Sequence, residues 1–304
     1  MIFKKVIYIF LAAVLWASTV GADEAKRVVS KNTSREQHFL WKVTSPQATV
    51  YLFGSIHFGK PEMYPLPGVI EKAFTLSDSL VLEVNLERLD PVMAQQTMLQ
   101  RGSYGDGTSL KDRISLETLG RLEVRLAQFG LDLEQVRHFK PWLMAMTLSV
   151  IQLQMLGFDS NYGIDHYFAK KAIAEKKTIL EFEGLQEQLD FLDSIKDQEK
   201  FLDYTLVSLD ETEKTLEKII AAWESGDADV MEKVVIQELL VKYPEVAPML
   251  DLLLYERNYR MVDRIKKFLG SGKTYFVVVG SAHLIGEKGI VELLRQDGLQ
   301  VTQL

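Results

Sequence analysis

The chain has 304 residues, no cysteine and a formal net charge of −7 at neutral pH. Its length and its 47% of hydrophobic residues allow a large buried core, so folding does not require disulfides. The acidic balance argues against a protein that binds nucleic acid or anionic membranes by general electrostatics.

The amino terminus has the pattern of a secretory signal peptide. Lys4 and Lys5 precede an uncharged apolar run, and Val20 and Ala22 stand at the −3 and −1 positions of a cut after Ala22. The stretch 6–22 has 17 residues, which is the lower edge for a membrane span, so an uncleaved anchor is the alternative. We expect residues 1–22 to be removed and the protein to be periplasmic or secreted, without a membrane span after cleavage.

Runs of β-branched and aromatic residues predict six strands, at Phe39 to Val43, Thr49 to Phe53, Ser79 to Val84, Thr178 to Phe182, Thr274 to Val279 and Leu299 to Thr302. Helical spacing of apolar residues predicts helices at Leu116 to Phe129, Pro141 to Leu156 and Gly163 to Lys176. Residues 185–270 are expected to be almost entirely helical. The pattern favours an α/β fold over residues 23–304, with a mixed or parallel central sheet flanked by helices and a large helical insertion.

The same short motif follows two of the predicted strands. Gly54-Ser55-Ile56-His57 follows the second strand, and Gly280-Ser281-Ala282-His283 follows the fifth. If these strands lie in one sheet, both imidazoles project from the same edge, where α/β folds build ligand and metal sites. A single histidine at a strand end is more often structural, but the repetition favours a shared functional site.

Acidic residues stand at the ends of two other strands. Glu83 interrupts an apolar run, and because burial of an unpaired acid is costly, we expect a salt-bridge partner or a metal ligand. With His57 and His283 it would form a set of two imidazoles and one carboxylate, which suits zinc, manganese and cobalt alike. Either Glu181 or Glu183 could accept a proton from water during hydrolysis.

Two further residues have two interpretations each. Arg257 lies in a long predicted helix and could stabilise developing negative charge or orient a substrate carboxylate, or could form a salt bridge to a nearby acid on the same helix. Asp165 stands at the start of a predicted helix, where capping is the simpler explanation.

In combination these motifs resemble the TraB/PrgY/GumN family, which includes the animal Tiki proteases, and the match is nearest to bacterial exported members of the GumN type. The resemblance rests on segments that span nearly the whole mature chain: Leu52 to Gly59, Met63 to Leu66, Leu82 to Val84, Gly163 to Asp165, Glu183 to Gln188, Glu256 to Met261 and Val279 to Gly286. It implies a fold similar to erythromycin esterase and the haem-uptake protein ChaN.

The resemblance also implies metal-dependent peptidase activity, as in the Tiki branch. His57, Glu83 and His283 would be the metal and catalytic set, and Arg257 with Asn258 would line the site. Our leading hypothesis is therefore an exported, divalent-metal-dependent hydrolase that acts on a peptide or protein. The alternatives are a protein that sequesters a peptide or similar ligand without cleaving it, and a haem or metal carrier.

Overall fold

The computed structural model describes residues 37–304. The predicted signal peptide, residues 1–22, lies outside this range. Within residues 37–304 no helix combines the length and the apolar character needed to cross a bilayer.

Six strands form one sheet, as the sequence predicts. They are β1 (Leu40–Thr44), β2 (Thr49–Ser55), β3 (Ser79–Leu82), β4 (Thr178–Glu181), β5 (Thr274–Gly280) and β6 (Gln300–Gln303). The order across the sheet is β4-β3-β5-β2-β1-β6. Strands β4, β3, β5 and β2 are parallel, whereas β1 is antiparallel to both β2 and β6. The sheet is therefore mixed, and the α/β prediction is confirmed.

Helices fill the connections. In chain order they are α1 (Gly68–Thr75), α2 (Pro91–Gly102), α3 (Leu116–Gln128), α4 (Leu133–Val136), α5 (Pro141–Met155), α6 (Ile164–Ala174), α7 (Leu185–Asp193), α8 (Gln198–Ser208), α9 (Thr212–Glu224), α10 (Ala228–Glu232), α11 (Glu238–Lys242), α12 (Ala247–Leu250), α13 (Glu256–Leu269) and α14 (Ile290–Gln296). Two π-helical segments, Lys233–Gln237 and Asp251–Tyr255, connect neighbouring helices. Only helices and short turns lie between β4 and β5.

The centre of the sheet is held by aromatic packing. The ring of Phe53 on β2 contacts Phe168, Phe276 and Trp223, with centroids 5.8 Å apart in each pair. The rings of Phe53, Phe168 and Phe276 are fully buried, and Trp223 is nearly so. Because buried aromatic rings remove a large apolar area from water, they fix β2 and β5 against α6 and α9.

The paired strands β2 and β5 end together. Their parallel register sets Gly54 opposite Val279 and Ser55 opposite Gly280. The neighbouring strand β3 ends at the same edge, with Leu82 opposite Val278. Parallel pairing therefore brings the two repeated motifs and the acid after β3 to one edge of the sheet, as expected for α/β folds.

Close packing at this edge leaves no room for a side chain at Gly54. A Cβ atom there would lie 2.4 Å from Cδ1 of Phe39 and 2.8 Å from Oγ of Ser281. We therefore expect Gly54→Ala to lower the free energy of unfolding by about 1–3 kcal/mol through overpacking. The measurement is guanidinium chloride unfolding followed by circular dichroism.

The matched control is Gly120→Ala on the exposed face of α3, where an added Cβ meets nothing within 4 Å. Alanine is the better helix former, so this variant should be unchanged or more stable by up to about 1 kcal/mol. Equal unfolding midpoints for Gly54→Ala and the wild type would contradict the packing described here.

Candidate functional site

The side chain of His57 lies just beyond the end of β2 and is held by a carboxylate. Its Nδ1 is 2.8 Å from Oδ1 of Asp165, and the hydroxyl of Ser55 donates to the same oxygen at 2.7 Å. Capping was the simpler prediction for Asp165, and it is wrong. The N-cap of α6 is Gly163, which makes no side-chain cap, and Asp165 turns towards His57 instead.

A close backbone approach brings Asp165 to this position. The amide of Ile164 donates to the carbonyl of Ile56 at 3.1 Å. A Cβ atom on Gly163 would lie 2.4 Å from the carbonyl oxygen of His57. Only glycine allows the start of α6 to lie against the end of β2 in this way.

The second histidine, His283, lies in the 3₁₀ turn Ser281–Leu284 that follows β5. Its Nδ1 is 2.5 Å from Oδ1 of Asn258 on α13. The amide nitrogen of Asn258 donates to the carbonyl of Lys288 at 2.8 Å. This second bond orients the side chain, so that its oxygen faces the histidine.

The hydrogen-bond partners assign the protons on both imidazoles. In each ring Nδ1 faces an acceptor, so Nδ1 carries a hydrogen, and in His57 this leaves Nε2 with a free lone pair. For His57, Nε2 is buried and has no hydrogen-bond partner among the described residues. For His283, Nε2 is 3.4 Å from Oε2 of Glu83. Buried polar atoms normally have partners, so the free Nε2 of His57 is a sign of a ligand position.

Glu83, which is 2% exposed, is held from several sides. Its Oε1 accepts from the amide of Gly280 at 2.6 Å, and its Oε2 accepts from Nη2 of Arg257 at 2.5 Å. Burial alone would raise the pKa of this carboxyl, but His283, when protonated, and the guanidinium of Arg257 hold the pKa well below its ordinary value. The side chain is therefore an ionised carboxylate. The salt-bridge interpretation of Glu83 is confirmed by these contacts.

Arg257 joins Glu83 to a second buried acid. Its Nε is 2.9 Å from Oε1 of Glu183, its Nη2 is 2.8 Å from Oε2 of the same residue, and its Nη1 donates to the carbonyl of Leu253 at 2.9 Å. Burial would lower the pKa of Arg257, but the two carboxylates raise it. Gln188 also donates to Glu183, at 3.2 Å. Arg257 is thus already bound by acceptors within the protein.

The structure distinguishes the two acids at the end of β4, of which Glu181 is its last residue and Glu183 follows it. Glu183 is 5% exposed and belongs to the buried cluster. Glu181 instead accepts from the amide of Asn85 at 2.9 Å and lies 3.7 Å from Arg88, with its side chain 33% exposed. Glu183 is therefore the acid that lies near the other candidate residues.

Gly280 is at the centre of the arrangement, and we call the space above its Cα the Gly280 cradle. The position of a Cβ on this residue would be 3.0 Å from Nε2 of His57, 3.3 Å from Oε1 of Glu83 and 3.7 Å from Cδ2 of His283. The three residues predicted as metal ligands therefore surround one point that lacks a side chain.

The donor chemistry of the cradle fits a divalent metal. It offers the free Nε2 of His57, the Nε2 of His283 and a carboxylate, the ligand types that zinc and similar ions take. Within residues 37–304, however, no three histidine, aspartate or glutamate side chains are already spaced to bind an ion. Binding would therefore require the side chains of the cradle to adjust.

The contact of Asp165 with His57 and the ion pairs between Arg257 and the two acids were not predicted from the sequence. The carboxylate beside His57 was signalled by Gly163-Ile164-Asp165, since glycine before a helix start permits a close approach. The pairing of Arg257 with Glu183 joins residues 74 positions apart, and local pattern gives no signal for it.

The chain is similar in sequence to bacterial and animal proteins over most of its length. It is 27% identical to the uncharacterized protein YbaP of Escherichia coli over 86% of this chain and 95% of YbaP. It is 23% identical to metalloprotease TIKI2 of Xenopus tropicalis and 22% identical to that of Danio rerio, over 93% of this chain. These matches cover 62% and 64% of the two TIKI2 chains.

No solved structure matches the chain significantly, so the expected likeness to erythromycin esterase and ChaN stays a prediction. The model of the TraB/PrgY/gumN family matches residues 39–303, which include the whole sheet and every residue of the Gly280 cradle. This match confirms the resemblance inferred from the repeated motifs. The chain belongs to the TraB/PrgY/gumN family.

Proposed function

We propose that the protein is an exported, divalent-metal-dependent hydrolase that cleaves peptide bonds. The observation that carries the proposal is the convergence of His57, Glu83 and His283 on the Gly280 cradle, with Nε2 of His57 buried and unpartnered among the described residues. The similarity to proteins named metalloproteases over 93% of the chain supports the peptide as substrate. The signal-peptide pattern of residues 1–22 supports export.

His57, His283 and Glu83 would hold the metal. A divalent ion supplies Lewis-acid polarisation of a carbonyl group and makes water a stronger nucleophile at neutral pH. The protein's own contribution is to hold the two imidazoles through Asp165 and Asn258, because a hydrogen bond at Nδ1 fixes the tautomer and the orientation of a metal-binding imidazole.

Arg257 and Glu183 have a supporting role in this proposal. The predicted stabilisation of an oxyanion by Arg257 would require a free donor, but its Nε and Nη2 are engaged with the two acids. Glu183, in turn, contacts Arg257 and Gln188. We therefore assign to Arg257 the balancing of two buried negative charges, while proton transfer by Glu183 stays a prediction.

The metal is tested by inductively coupled plasma mass spectrometry on protein purified without chelators. We expect about one divalent ion per chain in the wild type, and loss of that ion in the double variant His57→Ala/His283→Ala, because both imidazole ligands are removed. Cleavage of a peptide library, followed by mass spectrometry, should be lost in the same variant.

The control is His138→Ala, which removes an exposed histidine that pairs with Arg137 and should keep both metal and activity. Absence of metal from the wild type, even after reloading with zinc, manganese and cobalt, would contradict the proposal. A peptide bound but recovered intact from metal-loaded protein would favour a sequestering protein instead.

The charge-balancing role of Arg257 is tested by Arg257→Gln. The substitution leaves Glu83 and Glu183 buried without their cation, so the free energy of unfolding should fall by about 3–5 kcal/mol in urea denaturation. The control is Arg260→Gln, whose side chain is 48% exposed and 3.9 Å from Glu183. The control should lose less than about 1 kcal/mol, and equal losses in the two variants would contradict the assignment.

A further inference from the structure

We infer that Asp165, together with Ser55, is a positioning residue that aims Nε2 of His57 at the Gly280 cradle and strengthens it as a ligand. The inference about metal affinity rests on the proposed function, whereas the orientation of His57 does not. The carboxylate lies 2.8 Å from Nδ1 of His57, on the side of the ring opposite the cradle.

Two donors converge on a single oxygen of Asp165. Oδ1 accepts from Nδ1 of His57 at 2.8 Å and from the hydroxyl of Ser55 at 2.7 Å. A hydroxyl has one proton to donate, and at 3.4 Å the Ser55 hydroxyl is farther from Nδ1 of His57 than from the carboxylate. Ser55 therefore donates its hydrogen bond to Oδ1 of Asp165. Nδ1–H of His57 donates to the same oxygen.

The two imidazoles of the cradle have different partners. Nδ1 of His57 is hydrogen-bonded to a carboxylate, whereas Nδ1 of His283 is hydrogen-bonded to the neutral side-chain amide of Asn258. A hydrogen bond from Nδ1–H to a carboxylate fixes the tautomer and increases the basicity of Nε2. An amide fixes the tautomer but brings no negative charge. Asp165 therefore contributes both orientation and charge, and these two effects can be separated by substitution.

The position of Asp165 makes it suitable for this test. Its side chain is 19% exposed, while that of His57 is 1% exposed. Removal of the carboxylate therefore opens a space near solvent, and the backbone bond between Ile164 and Ile56 keeps the start of α6 in place.

The first measurement is zinc affinity by competition with a chromophoric chelator. Asp165→Ala should weaken binding about tenfold to a hundredfold. Asp165→Asn keeps an oxygen that can accept from Nδ1 and loses only the charge, so its affinity should lie between those of the wild type and Asp165→Ala. The matched control is Asp159→Ala, which removes a carboxylate that caps the nearby turn Ser160–Tyr162 and should leave zinc affinity unchanged.

The second measurement is nitrogen NMR of ¹⁵N-histidine-labelled, metal-free protein at a pH where the imidazoles are neutral, with His57 assigned from His57→Gln. We expect protonated Nδ1 and bare Nε2 for His57 in the wild type and in Asp165→Asn. Asp165→Ala should shift His57 towards the other tautomer, and Ser55→Ala should shift it less.

The two measurements separate the failure of this inference from the failure of the proposed function. A wild-type protein that binds no zinc but shows the Asp165-dependent tautomer would contradict metal dependence and leave the positioning role intact. A wild-type His57 that is protonated on Nε2, or a tautomer unchanged in folded Asp165→Ala, would overturn the inference. Equal zinc affinity in Asp165→Ala and the wild type would overturn the inference that Asp165 strengthens His57 as a metal ligand.

Discussion

The parallel pairing of β2 with β5 is the constraint on which the site depends. These strands are separated by more than two hundred residues in the chain, and their register sets Ser55 opposite Gly280. A shift of one residue would turn the side chains of the shifted strand to the opposite face of the sheet and separate the two motifs. The buried rings of Phe53, Phe168 and Phe276 oppose such a shift. The hydrophobic core thus determines the distance between the histidines.

A second constraint is the balance of buried charge. Glu83 and Glu183 are both nearly inaccessible to solvent and share one arginine, which leaves the cluster with an excess of one negative charge. Burial of such an excess is costly in a low-dielectric interior. A cation in the Gly280 cradle, or a proton on His283, would reduce that cost. The electrostatics and the free Nε2 of His57 therefore favour the same kind of ligand, a positively charged one.

Much of the fold could be predicted because most of its strands are short, apolar and bounded by turn residues, and all six predicted strands are present. Helix α2 was not predicted, although Asp90 caps it and Pro91 begins it, because its apolar residues show little helical periodicity. The convergence of His57, Glu83 and His283 followed from strand ends alone. The role of Asp165 could not be predicted in this way, because an acid at a helix start has the same local pattern whether it caps the helix or contacts the end of a strand.

The most direct test of metal binding at the Gly280 cradle is X-ray absorption spectroscopy of the zinc-loaded protein, which reports the atoms bound to the metal. We expect two imidazole nitrogens, from His57 and His283, and at least one carboxylate oxygen, at the distances usual for zinc. A spectrum that lacks the scattering of imidazole rings would contradict the central claim that the Gly280 cradle is a metal site.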